Sequence, residues 1–202
     1  MIYRSIRALV RAAVRATLVL AVAAASAAPL PRDSVYRLGV PLTDQSGRVF
    51  TLADHRGSPM LVSMFYTSCE FVCPMLVEAI RATEDSLEPD ERRRLQVLLV
   101  SFDPARDTVA VLRKTAAERH VDAARWQLAR TDPGNVRKIA ALLDIRYRAL
   151  DDGNFNHSAT IVLVDAEGRV AGRTADLSAP DDAFVALLRR TLAAAGDPGP
   201  RP

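Results

Sequence analysis

The stretch from Met60 to Leu87 constrains the fold more than any other part of this 202-residue chain. Met60 to Tyr66 is a continuous apolar run of strand length, interrupted only by Ser63. Thr67-Ser68-Cys69-Glu70-Phe71-Val72-Cys73-Pro74 follows it and holds both cysteines of the protein, four positions apart. From Cys73 to Leu87 the pattern changes period. Leu76, Ile80, Thr83 and Leu87 recur at helical spacing, with Glu78, Arg81 and Asp85 off that face. Pro74 suits a first helical turn, where its missing N–H costs nothing, and Pro89 is read as the stop. A buried strand feeding two thiols into the start of a helix places them among donated backbone N–H groups. The positive end of the helix dipole lies there too, and both favour thiolate over thiol.

The ends of the chain read differently from its middle. Residues 1–15 carry Arg4, Arg7, Arg11 and Arg15 and no acid; Ala16 to Ala25 is apolar, and Ala25-Ser26-Ala27 fits a small-residue cleavage site. Residues 1–27 therefore have the pattern of a secretory signal peptide, with a retained membrane anchor as the alternative. The formal charge is +3, from 27 basic and 24 acidic residues. Taking away four leader arginines and no acid leaves 23 against 24, a balance of −1. The remaining chain has no basic excess with which to hold nucleic acid, which excludes that class of partner. Residues 28–35 are expected to be a linker, 36–196 one domain, and 197–202 a Pro/Gly tail.

Along that domain, Tyr36 to Leu52 reads as an N-terminal β-hairpin turning at Asp44-Gln45-Ser46-Gly47. Leu95 to Ser101 is a strand ending at Phe102-Asp103-Pro104, and Asp107 or Thr108 caps the next helix. Trp126 to Ala129 is a short strand, and Asp132-Pro133 opens a helix through Leu143. Tyr147 to Leu150, Thr160 to Val164 and Val170 to Arg173 are strands, and a helix containing Phe184, Leu188 and Leu192 stops at Gly196. Strands alternating with helices, then a hairpin and a closing helix, predict an α/β fold with a central mixed sheet flanked by helices. Ligands of such sheets sit at the carboxyl ends of the strands, where Cys69 falls.

His157, in Phe155-Asn156-His157-Ser158, precedes the apolar run of Thr160 to Val164. Two soft sulfurs and one imidazole form a ligand set for copper or zinc if they meet in space. A structural disulfide is the bland alternative for the cysteine pair in an oxidising compartment, but a loop with three intervening residues constrains the unfolded chain little. A structural zinc site would normally be closed by four ligands, and three are evident. His55 reads as a loop residue and His120 as a helix C-terminal residue. Met60, Met64 and Met75 read as core packing, Asp151 and Asp152 as solvated, and Asp103 as either a turn former or part of a site.

Three separated motifs taken together resemble the Sco/SenC family of thioredoxin-fold copper-binding proteins associated with cytochrome c oxidase assembly. They are Thr67-Ser68-Cys69-x-x-x-Cys73-Pro74, Ser101-Phe102-Asp103-Pro104-Ala105-Arg106-Asp107-Thr108, and His157-Ser158 before a strand. The likeness runs from about residue 36 to about residue 193. It implies a thioredoxin-like fold with Cys69, Cys73 and His157 as copper ligands, taking Cu(I) or Cu(II), and Asp103 as an acidic residue beside the site. This chain departs from the family pattern at Glu70, where members commonly have Pro, and at Asn156, often acidic in the family.

The resemblance implies an exported assembly factor, in the periplasm or at the outer face of the inner membrane. It would pass copper to a cuproenzyme subunit and depend on a thiol-reducing partner, because a Cys69–Cys73 disulfide would exclude copper. The alternative is a thiol–disulfide oxidoreductase acting on partner cysteines, with Cys69 and Cys73 as its redox pair. Enzymes of that type place a cis-proline opposite the cysteines, and this chain has no Pro between Pro133 and Pro180. A thiol peroxidase is disfavoured, since Thr67 stands two residues before Cys69 and no Pro precedes it at the required spacing.

Overall fold

A computed structural model of the chain describes residues 29–69 and 71–196. The leader read at 1–27, the tail at 197–202 and Glu70 lie outside the described residues. In chain order the strands are β1 (Leu42–Asp44), β2 (Val49–Phe50), β3 (Met60–Phe65), β4 (Gln96–Ser101), β5 (Trp126–Arg130), β6 (Tyr147–Ala149), β7 (Phe155–His157), β8 (Ile161–Val164) and β9 (Val170–Thr174). The helices are α1 (Val72–Asp85), α2 (Pro89–Arg94), α3 (Val109–Glu118), α4 (Pro133–Leu143) and α5 (Asp182–Ala195).

Seven strands form one sheet in the order β2-β1-β5-β4-β3-β8-β9. β3, β4 and β5 run parallel; β1 joins β5, and β8 joins β3, antiparallel. The expected mixed sheet is therefore present, with the continuous apolar runs at its centre. All six residues of β3 are buried, as parallel strands covered on both faces require. Ser63, the one polar residue of that strand, satisfies its hydroxyl on the Thr160 carbonyl at 2.7 Å.

α1 buries Leu76, Ile80 and Thr83, as the spacing predicts, and Val77 beside them; Leu87 is buried too, but beyond the end of the helix. Three local readings change. Pro89 does not simply end the preceding helix. It occupies the first turn of α2, where the Glu88 N–H donates to Glu91 Oε2 at 3.0 Å; no α2 residue is buried, so no apolar period signalled it. The N-terminal hairpin is confined to Leu42–Phe50, and Val35–Arg37 is a 3₁₀ turn capped by the Ser34 hydroxyl. Met75 is half exposed rather than packed in the core, whereas Met60 and Met64 are fully buried.

The N-terminal segment is held tightly. The Val35 N–H donates to the Gly168 carbonyl at 2.8 Å, and Ser34 to the Glu167 carbonyl at 2.6 Å. Gly168 has φ +84°, and a Cβ there would stand 2.3 Å from Ser34 Oγ and 2.6 Å from the Tyr36 ring. Only glycine tolerates both the backbone and the approach. No helix among the described residues is long and apolar enough to cross a membrane.

Among the described residues, β6 and β7 pair only with each other, as a two-stranded hairpin. The first arm was legible in the sequence; the second, Phe155-Asn156-His157, was not read as a strand. Register sets Tyr147 opposite His157.

Candidate metal centre

The carboxyl ends of β3 and β4 lie side by side in the middle of the sheet, where their outgoing loops build the site. After β3, the chain turns through Thr67 and Ser68 to Cys69 and enters α1 with Cys73 in its first turn. After β4 comes Phe102 to Asp107. Asp107 is fully buried and its carboxylate accepts three donors: the Thr67 N–H at 3.2 and 3.3 Å to its two oxygens, the Thr67 hydroxyl and the Ser101 hydroxyl. It thus ties the loop before Cys69 to the end of β4. Thr108, not Asp107, caps α3, accepting from the Val111 N–H at 3.3 Å.

The structure brings three expected donors together. The two sulfurs and a ring nitrogen of His157 all lie within 4.8 Å of one another. Bonds of roughly 2.0–2.3 Å to a shared ion set two donors roughly 3.7 Å apart at a trigonal centre. Small side-chain rotations would close that difference. Both cysteines are free thiols. Asp103 does not join this cluster: its carboxylate is engaged by the guanidinium of Arg106.

The two thiols are electrostatically unlike. The Cys73 N–H points at the Cys69 sulfur, 3.3 Å away. Burial pushes the Cys69 thiol up, but this N–H, the Cys73 thiol and the N–H groups of Phe71 and Val72 outweigh it and hold its pKa below the ordinary value. That is the helix N-terminus expected from the sequence. Cys73 is raised far above the ordinary range. Burial is the main cause, reinforced by the negative charge of Cys69 and of Asp107. An ion binding both sulfurs must therefore displace a firmly held proton from Cys73.

His157 is half-buried, and that burial lowers its pKa, so the imidazole is neutral at physiological pH. Its Nδ1 lies 3.4 Å from the Ser158 carbonyl; a proton there leaves Nε2 bare for a ligand. An aromatic group surrounds it, with Phe102 at 4.9 Å between ring centroids and Tyr66 at 6.0 Å. Phe155 packs on Tyr66 at 5.2 Å, and Tyr147 stacks on Phe102 at 5.4 Å. Burial raises the Tyr66 pKa, and the adjoining Cys69 charge adds to this, while the Phe155 N–H opposes it. The cleft in front of the donors is about 550 Å³ and is lined by Tyr66, Cys69, Phe71, Leu150, Phe155 and His157 among others. A larger cleft, about 860 Å³, lies beside the β1–β2 turn and α3, and none of the three donors lines it. His55, in a 3₁₀ turn rather than a loop, is buried at that second cleft, and His120 lies in the turn two residues beyond the end of α3, with φ +49°.

Residues 39–193 match the SCO1/SenC family. The chain belongs to the SCO1/SenC family. Among individual Sco proteins, it is 31% identical over 79 residues to the mitochondrial protein SCO2 of Saccharomyces cerevisiae, and 35% over 85 residues to the mitochondrial SCO2 homolog of Bos taurus. Each match covers 39% of this chain, and the chain spans 26% and 30% of the length of those two relatives. The structure of Bradyrhizobium japonicum ScoI with copper bound superimposes with a TM-score of 0.61 at 26% identity, over 75% of this chain and 96% of that one. The fold is thus the thioredoxin-like one of Sco proteins, as the resemblance implied.

Residue type and spacing single out Cys69 and Cys73, whereas His157 stands out from the other two histidines only through the cysteine pair and the family resemblance. From the sequence Asp107 reads as a candidate helix cap and as a member of the Ser101–Thr108 motif, with no role in the site. Its signal was its place six residues after the buried Ser101, but burial is what gives it a role. Tyr66 and Phe71 were passed over as the end of a strand and as spacing between cysteines. Phe71 is in fact 76% exposed at the mouth of the site.

Proposed function

We propose that this protein binds copper through Cys69, Cys73 and His157 and hands it to an exported cuproenzyme subunit such as one of cytochrome c oxidase. The observation that carries the reading is the convergence of two sulfurs and an imidazole, with Cys69 and His157 lining an open cleft and Cys73 buried behind them. Two thiolates and an imidazole cancel the charge of Cu(II) and leave one negative charge on Cu(I), so the set tolerates both states. A fourth position facing the cleft lets a recipient's soft ligand enter before a donor leaves, so transfer proceeds by ligand exchange without a general base. The arginine-bearing, then apolar, leader supports export to the periplasm or the outer membrane face, with or without retention of that segment as an anchor.

A second reading is favoured by the asymmetry of the thiols. A low-pKa, partly exposed Cys69 beside a buried Cys73 is the arrangement of an attacking and a resolving thiol, as a thiol–disulfide oxidoreductase needs. A Cys69–Cys73 disulfide would exclude copper, so both readings call for a reducing partner.

Anaerobic copper titration of the reduced protein, with thiols counted before and after, separates the two. One equivalent of copper protecting both thiols is expected. Cys→Ser at either position should abolish tight binding, and His157→Ala should weaken Cu(II) more than Cu(I). Disulfide exchange with model substrates without stoichiometric copper binding would favour the oxidoreductase instead.

A further inference from the structure

His157 reaches the thiols on a hairpin that, among the described residues, joins no larger sheet, so contacts other than further strand pairing hold it in place. The aromatic packing of Phe155 and Tyr147 supplies cohesion but little direction. Arg106 supplies direction. Its Nε donates to the Asp103 carboxylate, and one terminal nitrogen donates to the Gly153 carbonyl at the hairpin's turn. Its guanidinium carbon also lies 5.9 Å from the centre of the Phe155 ring. Gly153 has φ +80°, and a Cβ there would come within 3.3 Å of Arg106 Nη1, so the turn closes directly on the guanidinium. Asp103 is buried and its N–H donates to Ser101 Oγ at 2.9 Å, which fixes the carboxylate relative to β4. One planar fork therefore joins the buried end of β4 to the separate hairpin carrying the imidazole, a task a single ammonium cannot perform in the same way.

We propose that Arg106, oriented by Asp103, is a positioning residue that latches the β6–β7 hairpin over the two thiols and thereby favours Cu(II) over Cu(I). The inference rests on the copper reading above. Cu(I) is content with two thiolates, which α1 and the β3 loop hold without help from the hairpin. Cu(II) draws on the imidazole, so its apparent affinity scales with the fraction of molecules whose hairpin is closed. This gives Asp103 its part in the site, acting through Arg106 rather than touching the ion.

The test combines hydrogen exchange of the metal-free, reduced full chain with separate Cu(I) and Cu(II) titrations of Arg106→Ala, Arg106→Lys, Asp103→Asn and the Asp103→Asn/Arg106→Ala pair. In Arg106→Ala, exchange should rise across 147–157 and stay unchanged in β3 and β4. Outer residues that orient a ligand typically contribute 10–100-fold to metal affinity, so Cu(II) affinity should fall about tenfold while Cu(I) affinity holds within about twofold. Arg106→Lys keeps the charge but loses the fork, and should follow Arg106→Ala in hairpin exchange. The paired variant should be no worse than Arg106→Ala, since both changes break one link. Equal losses for both oxidation states, or unchanged hairpin exchange in Arg106→Ala, would overturn the latch. Absence of copper binding by the native protein would overturn the copper reading and the oxidation-state preference with it, while the exchange pattern still decides whether Arg106 holds the hairpin.

Discussion

Two regions of the molecule contribute donors to the same centre and are built on opposite principles. The thiols stand on β3 and α1, where every strand residue is buried and the loop before Cys69 is bound through Asp107 to the end of β4. The imidazole stands on β6–β7, whose six residues are all at least partly exposed and whose strands, among the described residues, pair only with each other. A two-stranded ribbon is at best marginally stable by itself. On the proposed copper reading the contrast suits ligand exchange, since the imidazole could withdraw on its hairpin without disturbing the core that holds the thiols.

The largest effect that could break this comparison is on stability. Leu99→Ala, in the centre of β4 and fully buried, should cost about 2–5 kcal/mol in denaturant unfolding, because it leaves a cavity in a sheet covered on both faces. Arg148→Ala, on the exposed side of β6, should stay within about 0.5 kcal/mol. Native-state exchange should agree, with amides of β6 and β7 opening well before those of β3 and β4. Hairpin amides as protected as those of β4 would show that the two regions form one cooperative unit, and the contrast would fail.

The same contrast explains what could be read from the sequence. β3, β4 and α1 were legible because burial writes itself as long apolar runs or a repeating apolar face. The hairpin was half legible: Tyr147 announces an arm, but Phe155-Asn156-His157 is three residues with one apolar member, too short for a period. α2 was missed because its stability comes from capping rather than burial. Met75 was placed in the core by residue type, but its helix turns it outward beside Phe71, four residues earlier. In the site, the cysteines can be named from chemistry and His157 with the help of the resemblance, whereas the parts played by Asp107, Arg106 and Tyr66 cannot, since each acts through a neighbour distant in sequence. Arg106 carries no signal of its own until Gly153 is seen to lie 47 residues away in the chain and in contact.

A smaller effect sharpens the comparison inside the rigid region itself. In the reduced, metal-free protein, iodoacetamide should alkylate Cys69 faster than Cys73 by roughly tenfold or more near neutral pH, because the thiolate is the nucleophile. The helix N–H groups stabilise that form at Cys69, while burial opposes it at Cys73. Peptide mapping after brief labelling reads the ratio directly. Lowering the pH should slow Cys69 labelling. Equal rates would mean that Cys73 is reached through frequent opening of α1, against the assignment of rigidity to this side.

The smallest expected effect is a difference in sign between two aspartates, one in each region. Burial raises the Asp107 pKa, and its bonds from Ser101 and Thr67 only partly offset this. The folded state then holds that proton more tightly than the unfolded state does. Its contribution to stability is therefore fully present below the usual carboxylate range and is lost as pH rises through the raised pKa. Asp152, exposed at the hairpin turn, is lowered by the Asn154 N–H, 2.9 Å away, and by the Asn154 side chain. Its contribution is present above the usual carboxylate range and is lost as pH falls through the lowered pKa. Unfolding curves across acidic pH for Asp107→Asn and Asp152→Ala, each subtracted from the native protein, should slope in opposite directions. The native protein should lose ground to Asp107→Asn with rising pH and gain it over Asp152→Ala. Two slopes of the same sign would mean that the three donated hydrogen bonds, not burial, govern Asp107, and that the anchor of the cysteine loop is as solvated as the turn of the hairpin.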